Sequence, residues 1–310
     1  PSFVSVMVEP GTGLRKRTLP QLPAIEIPEP AAKVTVGDGY EILIPGIGGT
    51  GVVTLNALVS TAALLEGLHV STLDQTGLAQ KGGAVVSSIL IGARPVELAS
   101  KISYGSAHLV LGCDLLGAAA ADNLKRADPG RTVAVVNSFE TPTADAIRKG
   151  AVHFESPLVD TINGATRARA NIFVDASGLA EALFASHMAA NIFLLGVAYQ
   201  AGFVPLSAAS LERAIELNAV EVAQNLAAFR WGRKYHNDPE AVEEVAQGGS
   251  RPAVRPLSLD ELLERRARDL TDYQDARYAG RYREWIERTR RRDGYVSLEV
   301  SPYLAHDTEG

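Results

Sequence analysis

Tyr40-Glu41-Ile42-Leu43-Ile44-Pro45-Gly46-Ile47-Gly48-Gly49-Thr50-Gly51-Val52-Val53-Thr54 opens the stretch whose reading decides the fold. Tyr40 to Ile44 is a short apolar strand, and from Val52 to Leu65 apolar residues recur at helical spacing. Between them, Gly46-Ile47-Gly48-Gly49-Thr50-Gly51 fits G-x-G-x-x-G in the strand–turn–helix setting that pattern requires. Glycines there allow a tight turn and close approach of a phosphate, and a helix N-terminus offers unpaired N–H groups at the positive end of its dipole. His69 to Leu73 is the second strand, and Asp74 follows it, where a dinucleotide-binding fold keeps its ribose-binding acid. These features alone describe an NAD- or FAD-binding Rossmann domain.

The next segment argues otherwise. Gln75-Thr76-Gly77-Leu78-Ala79-Gln80-Lys81-Gly82-Gly83 leads straight into a third strand, Ala84 to Ile91, with no helix between. Parallel neighbours need a long crossover, normally helical, so a standard Rossmann half is not formed here. A lysine between Gln80 and the Gly82-Gly83 pair at a sheet's carboxyl edge suits anion binding or partner contact. The plainer reading of both glycine segments is that they only permit close packing.

Outward from this centre, Leu109-Val110-Leu111, Thr132 to Val136 and Ile172-Phe173-Val174 read as further strands, and Asp114 can cap the alanine-rich helix that follows the first of these. Strands alternating with helices imply an α/β fold: a three-layer α/β/α domain on a mostly parallel, Rossmann-like sheet. One helix is expected over Gly178 to Gln200 and another from an N-cap at Ser207 to about Phe229. The proline-rich residues 1–36 read as a connector, 37–235 as the α/β domain and 236–310 as a linker plus helical extension. Within the last region, 238–256 reads as the linker, with a flexible Gly248-Gly249-Ser250 and with Pro252 and Pro256 punctuating it. Ser258 with Glu261 forms a capping box at the start of a charge-dense helical tail that runs to about Arg292.

Composition narrows the function. The net charge of −6 over 310 residues gives no general affinity for nucleic acid or an anionic membrane. Ten arginines against nine acids between Asp260 and Asp293 make the tail a solvated helical surface rather than a nucleic-acid patch. The longest apolar stretch, Leu179 to Phe203, contains Glu181, His187, Asn191 and Gln200, so it reads as a buried helix and not a membrane span. No secretory leader is visible, and the lack of any possible internal disulfide fits a reducing cytoplasm. The single cysteine, Cys113, cannot hold an iron–sulfur cluster or a cysteine-based zinc site.

Other candidates are weaker. Gly37-Asp38-Gly39 could begin a thiamine diphosphate–magnesium motif, but the asparagine-rich end that motif needs is missing around Leu64 to Val70, so a turn is expected. Cys113 precedes a helix N-terminus, where a thiol pKa can fall, yet no histidine is coupled to it in sequence and a small packed residue is the better reading. The six histidines show no metal-ligand spacing. Neither G-x-S-x-G nor a Gly-Lys-Ser/Thr phosphate loop is present.

Pro45-Gly46-Ile47-Gly48-Gly49-Thr50-Gly51-Val52-Val53-Thr54 resembles the opening of the gamma domain of 2-oxoacid:ferredoxin oxidoreductases. Thr76-Gly77-Leu78-Ala79-Gln80-Lys81-Gly82-Gly83-Ala84-Val85 is similar to its second signature, in the indolepyruvate form, and Leu111-Gly112-Cys113-Asp114 falls where the family has a comparable segment. Phe229-Arg230-Trp231-Gly232-Arg233 resembles the helical extension of the large fused members, and Pro1-Ser2-Phe3-Val4 the stretch after their thiamine-binding region. The resemblance implies a gamma component of an enzyme that oxidatively decarboxylates a 2-oxo acid, with aryl pyruvates expected. Coenzyme A takes the acyl group and ferredoxin the electrons. It further implies that thiamine diphosphate with Mg and the 4Fe-4S clusters sit on a partner subunit or domain, and that this chain is inactive alone. It is read as a subunit or a piece of a longer chain, and a homo-oligomer by base rate. No catalytic residue and no metal ligand is assigned. The ligand-contact expectation, with coenzyme A as candidate, rests on Gly46, Gly48, Gly49, Thr50, Gly51, Gln80, Lys81, Gly82 and Gly83.

Overall fold

The computed structural model describes residues 27–77, 83–95, 100–139, 155–248 and 258–293. They belong to two compact units, one within Leu19–Ser250 and one that includes the C-terminal helices.

The first unit is built on a six-stranded sheet: β1 Tyr40–Ile47, β2 His69–Thr76, β3 Ala84–Gly92, β4 Leu109–Gly112, β5 Val133–Asn137 and β6 Ile172–Val174, in the order β2-β3-β1-β4-β5-β6. β3 runs antiparallel to both β1 and β2, and the remaining pairings are parallel, so five of the six strands point the same way. The sheet is mostly parallel, as expected, and the short connection between β2 and β3 has its reason: an antiparallel hairpin needs no crossover helix. β1 is longer than the apolar run suggests. Pro45, Gly46 and Ile47 stay in the ladder, opposite Val86, Val85 and Ala84, so the first glycine of the turn is a strand residue.

Side chains alternate across the central strands and feed two cores. Ile42, Ile44, Leu109, Leu111 and Val135 face one layer of helices. Leu43, Val110, Ala134 and Val136 face the other. The first layer includes α1 Val52–Leu65, α5 Ala176–Phe184, α6 Ala190–Gln200, α7 Ala208–Asn218 and α8 Val222–Asn237, and Val242 and Ala246 of a later helix join the same core. The second holds α2 Leu115–Ala119 and α4 Glu155–Ala165, while α3 Ala121–Leu124 is a single turn between strands. Every residue of α6 is buried, which explains its unbroken apolarity.

Three expectations for the helices need correction. Gly178 to Gln200 is two helices, because Ala185 adopts a left-handed conformation (φ 54°) and a short 3-10 turn at His187–Ala189 follows. The helix from Ser207 stops at Asn218, because Ala219 and Glu221 both have positive φ, and α8 starts afresh at Val222. The linker expected at 238–256 contains α9, Pro239–Gly248: Pro239 occupies a first helical position, where its missing N–H costs nothing, and Asp238 accepts from the Ala241 N–H. The caps were read correctly. Asp114 accepts from Gly117 N, Ser207 accepts from Ser210 N, and Ser258 with Glu261 closes both halves of its capping box.

The last residues of the expected connector lie against the sheet unit. Val34 N donates to the Gly202 carbonyl at 2.9 Å. Arg233, almost wholly buried, donates to the carbonyl of Pro28 and to Glu29, while Tyr199 donates to Glu29 at 2.6 Å. The second unit contains α10 Leu259–Tyr273 and α11 Ala276–Asp293, with Leu263, Ala267, Ala279 and Ile286 buried. The helical tail consists of these two helices, and Asp275 accepts from Tyr278 N at the start of the second. Among the described residues no helix is long and apolar enough to cross a membrane.

Candidate functional site

Parallel strands deliver their carboxyl ends to one edge of the sheet, where open α/β folds keep their ligands. The first glycine segment lies on this edge, and its glycines have separate physical duties. A Cβ on Gly46 would lie 2.5 Å from Val52 Cγ2 and 2.9 Å from Cys113 Cβ, so Gly46 lets α1 and the end of β4 close on β1. Gly49 and Gly51 take φ of +88° and +93°, a region L side chains rarely adopt. Gly51 is the N-cap of α1 and supplies no side-chain acceptor, so the first turn keeps its N–H groups without a side-chain cap. Thr50 is exposed and its hydroxyl donates to Ile47 O at 2.7 Å.

Gly48 joins the two signatures. Its N–H donates to the Gly83 carbonyl at 2.7 Å, extending the antiparallel β1–β3 ladder by one rung into the second glycine segment. Gly83 therefore lies against the turn; Gln80, Lys81 and Gly82 lie outside the described residues.

Asp74 does not serve the turn. It lies on β2, with β3 inserted between β2 and β1. Its carboxylate accepts from Asn56 Nδ2 at 2.8 Å and from the Ser87 hydroxyl. Cys113 is the small packed residue expected: it is buried, and burial with Asp114 beside it pushes the thiol well above its ordinary range. One oxygen of Asp114 caps α2; the other is buried without a hydrogen-bond partner, and burial raises this carboxyl despite the N–H groups of Gly117 and Leu116.

Several residues of this edge were not singled out from sequence. Asn191, at the start of α6 and 5% exposed, donates through Nδ2 to the Thr50 carbonyl at 2.8 Å and holds the turn from behind. Met188 lies beside Gly51 and stays 59% exposed. Asn137 ends β5: it donates to Cys113 O and Ser177 Oγ and accepts from the N–H groups of Phe139, Ala176 and Ser177. A signal existed for Asn191, a lone amide in an apolar stretch. Asn137 carried none, since an asparagine after a strand is most often a turn residue.

Together the edge offers a backbone turn, an exposed hydroxyl and a helix N-terminus, which suit an anion or a partner's backbone. Among the described residues no group of three His, Cys, Asp or Glu side chains is placed to hold a metal.

Known proteins resemble this chain over the same region. The model of a family described as Pyruvate ferredoxin/flavodoxin oxidoreductase matches residues 41–235, and that of a family of unknown function (DUF6537) matches 259–305. The chain is 29% identical over 196 residues to Indolepyruvate oxidoreductase subunit IorB of Methanothermobacter thermautotrophicus, covering 62% of this chain and 95% of that one. It is 28% identical over 197 residues to the subunit of the same name from Archaeoglobus fulgidus, covering 62% and 92%. The solved gamma subunit of a keto/oxoacid ferredoxin oxidoreductase from Geobacter sulfurreducens aligns with a TM-score of 0.43 at 21% identity, over 64% of this chain and 98% of that one.

Proposed function

Because this chain belongs to the pyruvate ferredoxin/flavodoxin oxidoreductase family, as a gamma-type subunit of the 2-oxoacid:ferredoxin oxidoreductases, we propose that it completes an enzyme converting an aryl pyruvate to its acyl-CoA with electrons passed to ferredoxin. The aryl-pyruvate choice is supported by the similarity to the two indolepyruvate subunits.

The observation that carries the reading is the rung between Gly48 and Gly83. It unites both family signatures at the carboxyl edge beside the uncapped N-terminus of α1. In this reading the edge receives the phosphate-bearing part of coenzyme A, with Lys81 as a point charge, or packs against the thiamine-bearing partner. The residues of this chain do not fit an iron–sulfur cluster, because its one cysteine is buried against Gly46 and far from ionising. Clusters and thiamine diphosphate with its magnesium therefore belong, in this proposal, to a partner subunit or domain, and the isolated chain is inactive. Residues 37–235 form the gamma-type domain in this reading, followed by a helical extension.

The test is reconstitution with a thiamine- and cluster-bearing partner. Ferredoxin reduction should require both components, a 2-oxo acid and coenzyme A. Lys81→Ala should raise the KM for coenzyme A while the assembly state is unchanged. An unchanged KM in a normal assembly removes the coenzyme A role. The purely structural reading of the turn has one observation in its favour, the close packing that Gly46 serves, and it predicts that outcome.

A further inference from the structure

The opposite end of the sheet carries a cleft of about 1020 Å³. It lies entirely within the first unit, between residues 34–41, the end of β3 with the three residues after it, and the residues that enter β4 and β5. Nothing in the proposed reaction uses it. Its volume is that of a small-molecule site.

His108 is fixed on its wall. Its Nδ1 accepts the Glu41 N–H at 3.2 Å, and its ring stacks on Tyr40 with centroids 4.8 Å apart. A neutral imidazole whose Nδ1 accepts must carry its proton on Nε2, so the backbone of β1 sets the tautomer and leaves Nε2–H as the donor. Burial, with Arg131 nearby, holds this histidine below its ordinary pKa and keeps that donor neutral at pH 7.

Arg94 and Arg131 also line the cleft, and neither guanidinium has an ion-pair or hydrogen-bond partner among the described residues. The acids there are Asp38, exposed, and Glu41, whose carboxylate already accepts from the Ser106 hydroxyl. Val36 and Pro95 give apolar wall. Two unpaired guanidinium groups and one oriented imidazole N–H are the recognition chemistry of a single acid group. Asp38 and Glu41 disfavour a second negative charge.

We propose that this cleft binds a small monoanionic organic acid with an apolar body, its acid group received by Arg94, Arg131 and the Nε2–H of His108. The site is independent of the glycine turn and of the reaction assigned to it.

The histidine ring signals of the full chain are followed by NMR during titration with benzoate and, separately, with inorganic phosphate; His108→Gln identifies the His108 signal. Benzoate should give a saturable shift at His108 and raise its pKa, because the bound carboxylate favours the imidazolium. Arg131→Gln and Arg94→Gln, both exposed positions, should keep the fold by circular dichroism and each weaken binding by roughly tenfold, the effect of one charge-assisted hydrogen bond. No saturable shift at His108 overturns the site. So does affinity unchanged in both arginine variants, or a shift that appears equally at His69 and His236. Phosphate binding as tightly as benzoate overturns the apolar-bodied acid as the ligand class.

Discussion

Replacing Gly232 by alanine should destabilise the first unit, although alanine is the better helix former. Gly232 on α8 and Gly196 on α6 face each other's helix at the crossing. A Cβ on Gly232 would lie 2.8 Å from the Phe193 carbonyl carbon, closer still to its oxygen, and 3.1 Å from Val197 N. A Cβ on Gly196 would lie 3.0 Å from both Phe229 C and Arg233 N. These neighbours are backbone atoms of a packed helix, so no rotamer change relieves the overlap. Ordinary contact begins near 3.4 Å, and one helix must back away by at least ~1 Å, losing dispersion contacts along its length. Overpacking of this kind costs about 3 kcal/mol, against about 1 kcal/mol returned by helix propensity. The expected net loss is about 2 kcal/mol, a fall in Tm of about 4–8 °C for a unit of this size. Gly196→Ala should behave alike. The double variant should cost less than the two singles combined, since the first displacement makes room for the second methyl. Gly164→Ala in α4, where a Cβ meets nothing within 4 Å, should be neutral or stabilising by ~0.5 kcal/mol. Urea and thermal unfolding of the four variants decide it. Gly232→Ala with wild-type stability, or as stable as Gly164→Ala, refutes the close crossing.

Three further outcomes are expected. Glu29 is held below the ordinary carboxylate range, chiefly by the Tyr199 hydroxyl and also by Arg233 and Lys33, against the opposing effect of burial. Its contribution is therefore present above that range and lost as pH falls through the depressed value; it is small, because the side chain is 70% exposed. Thermal scans of wild type and Glu29→Gln should converge in acid, and a gap that widens there contradicts the assignment. Asn137→Ala strands the Ala176 N–H and the Cys113 carbonyl at the end of β5 and should cost about 2–3 kcal/mol; an unchanged urea midpoint would deny its bracing role. Cys113 should resist a thiol reagent in the folded protein and react only at the rate of unfolding, so rapid labelling under native conditions would show that it is not sealed.

How much of this was legible depended on whether a local rule had a local residue to act through. The β1–turn–α1 unit announced itself because glycine is cheap at the positive φ of positions 49 and 51. The missing crossover helix between Thr76 and Ala84 showed that a standard Rossmann half is not formed, and the structure adds that β3 runs antiparallel. The helix ends at Ala185 and Ala219 were hidden, because alanine there takes a left-handed conformation that no propensity favours and tertiary packing imposes. The helix inside the expected linker was missed because a proline, which breaks a helix interior, opens a helix at its first position, and Pro239 stands there. The site was legible as a pair of segments. Their contact through Gly48 and Gly83 depends on strand register, and the anchoring by Asn137 and Asn191 on partners 24 and 141 residues away in sequence.

The same topology decides between the two readings of the glycine fingerprint. In a dinucleotide fold the second strand lies next to the first, so its terminal acid reaches the ribose of a cofactor whose pyrophosphate rests on the turn. Here β3 occupies that neighbouring place and β2 is one strand further out. Adjacent strands are about 4.8 Å apart, so the displacement takes Asp74 roughly one strand spacing beyond where such an acid is needed. Asp74 is also engaged by Asn56 of α1 and Ser87 of β3. The position next to the turn belongs instead to the second glycine segment, brought in by the antiparallel hairpin. Among the described residues this edge offers the N-terminus of α1, the backbone around Gly48 and Gly83, and the Thr50 hydroxyl. A surface of that kind grips a phosphate or another chain without reading a ribose. On this ground Asp74→Ala should leave the activity of the assembled enzyme intact while loosening α1 against β2, whereas a dinucleotide enzyme would lose its cofactor with the same change.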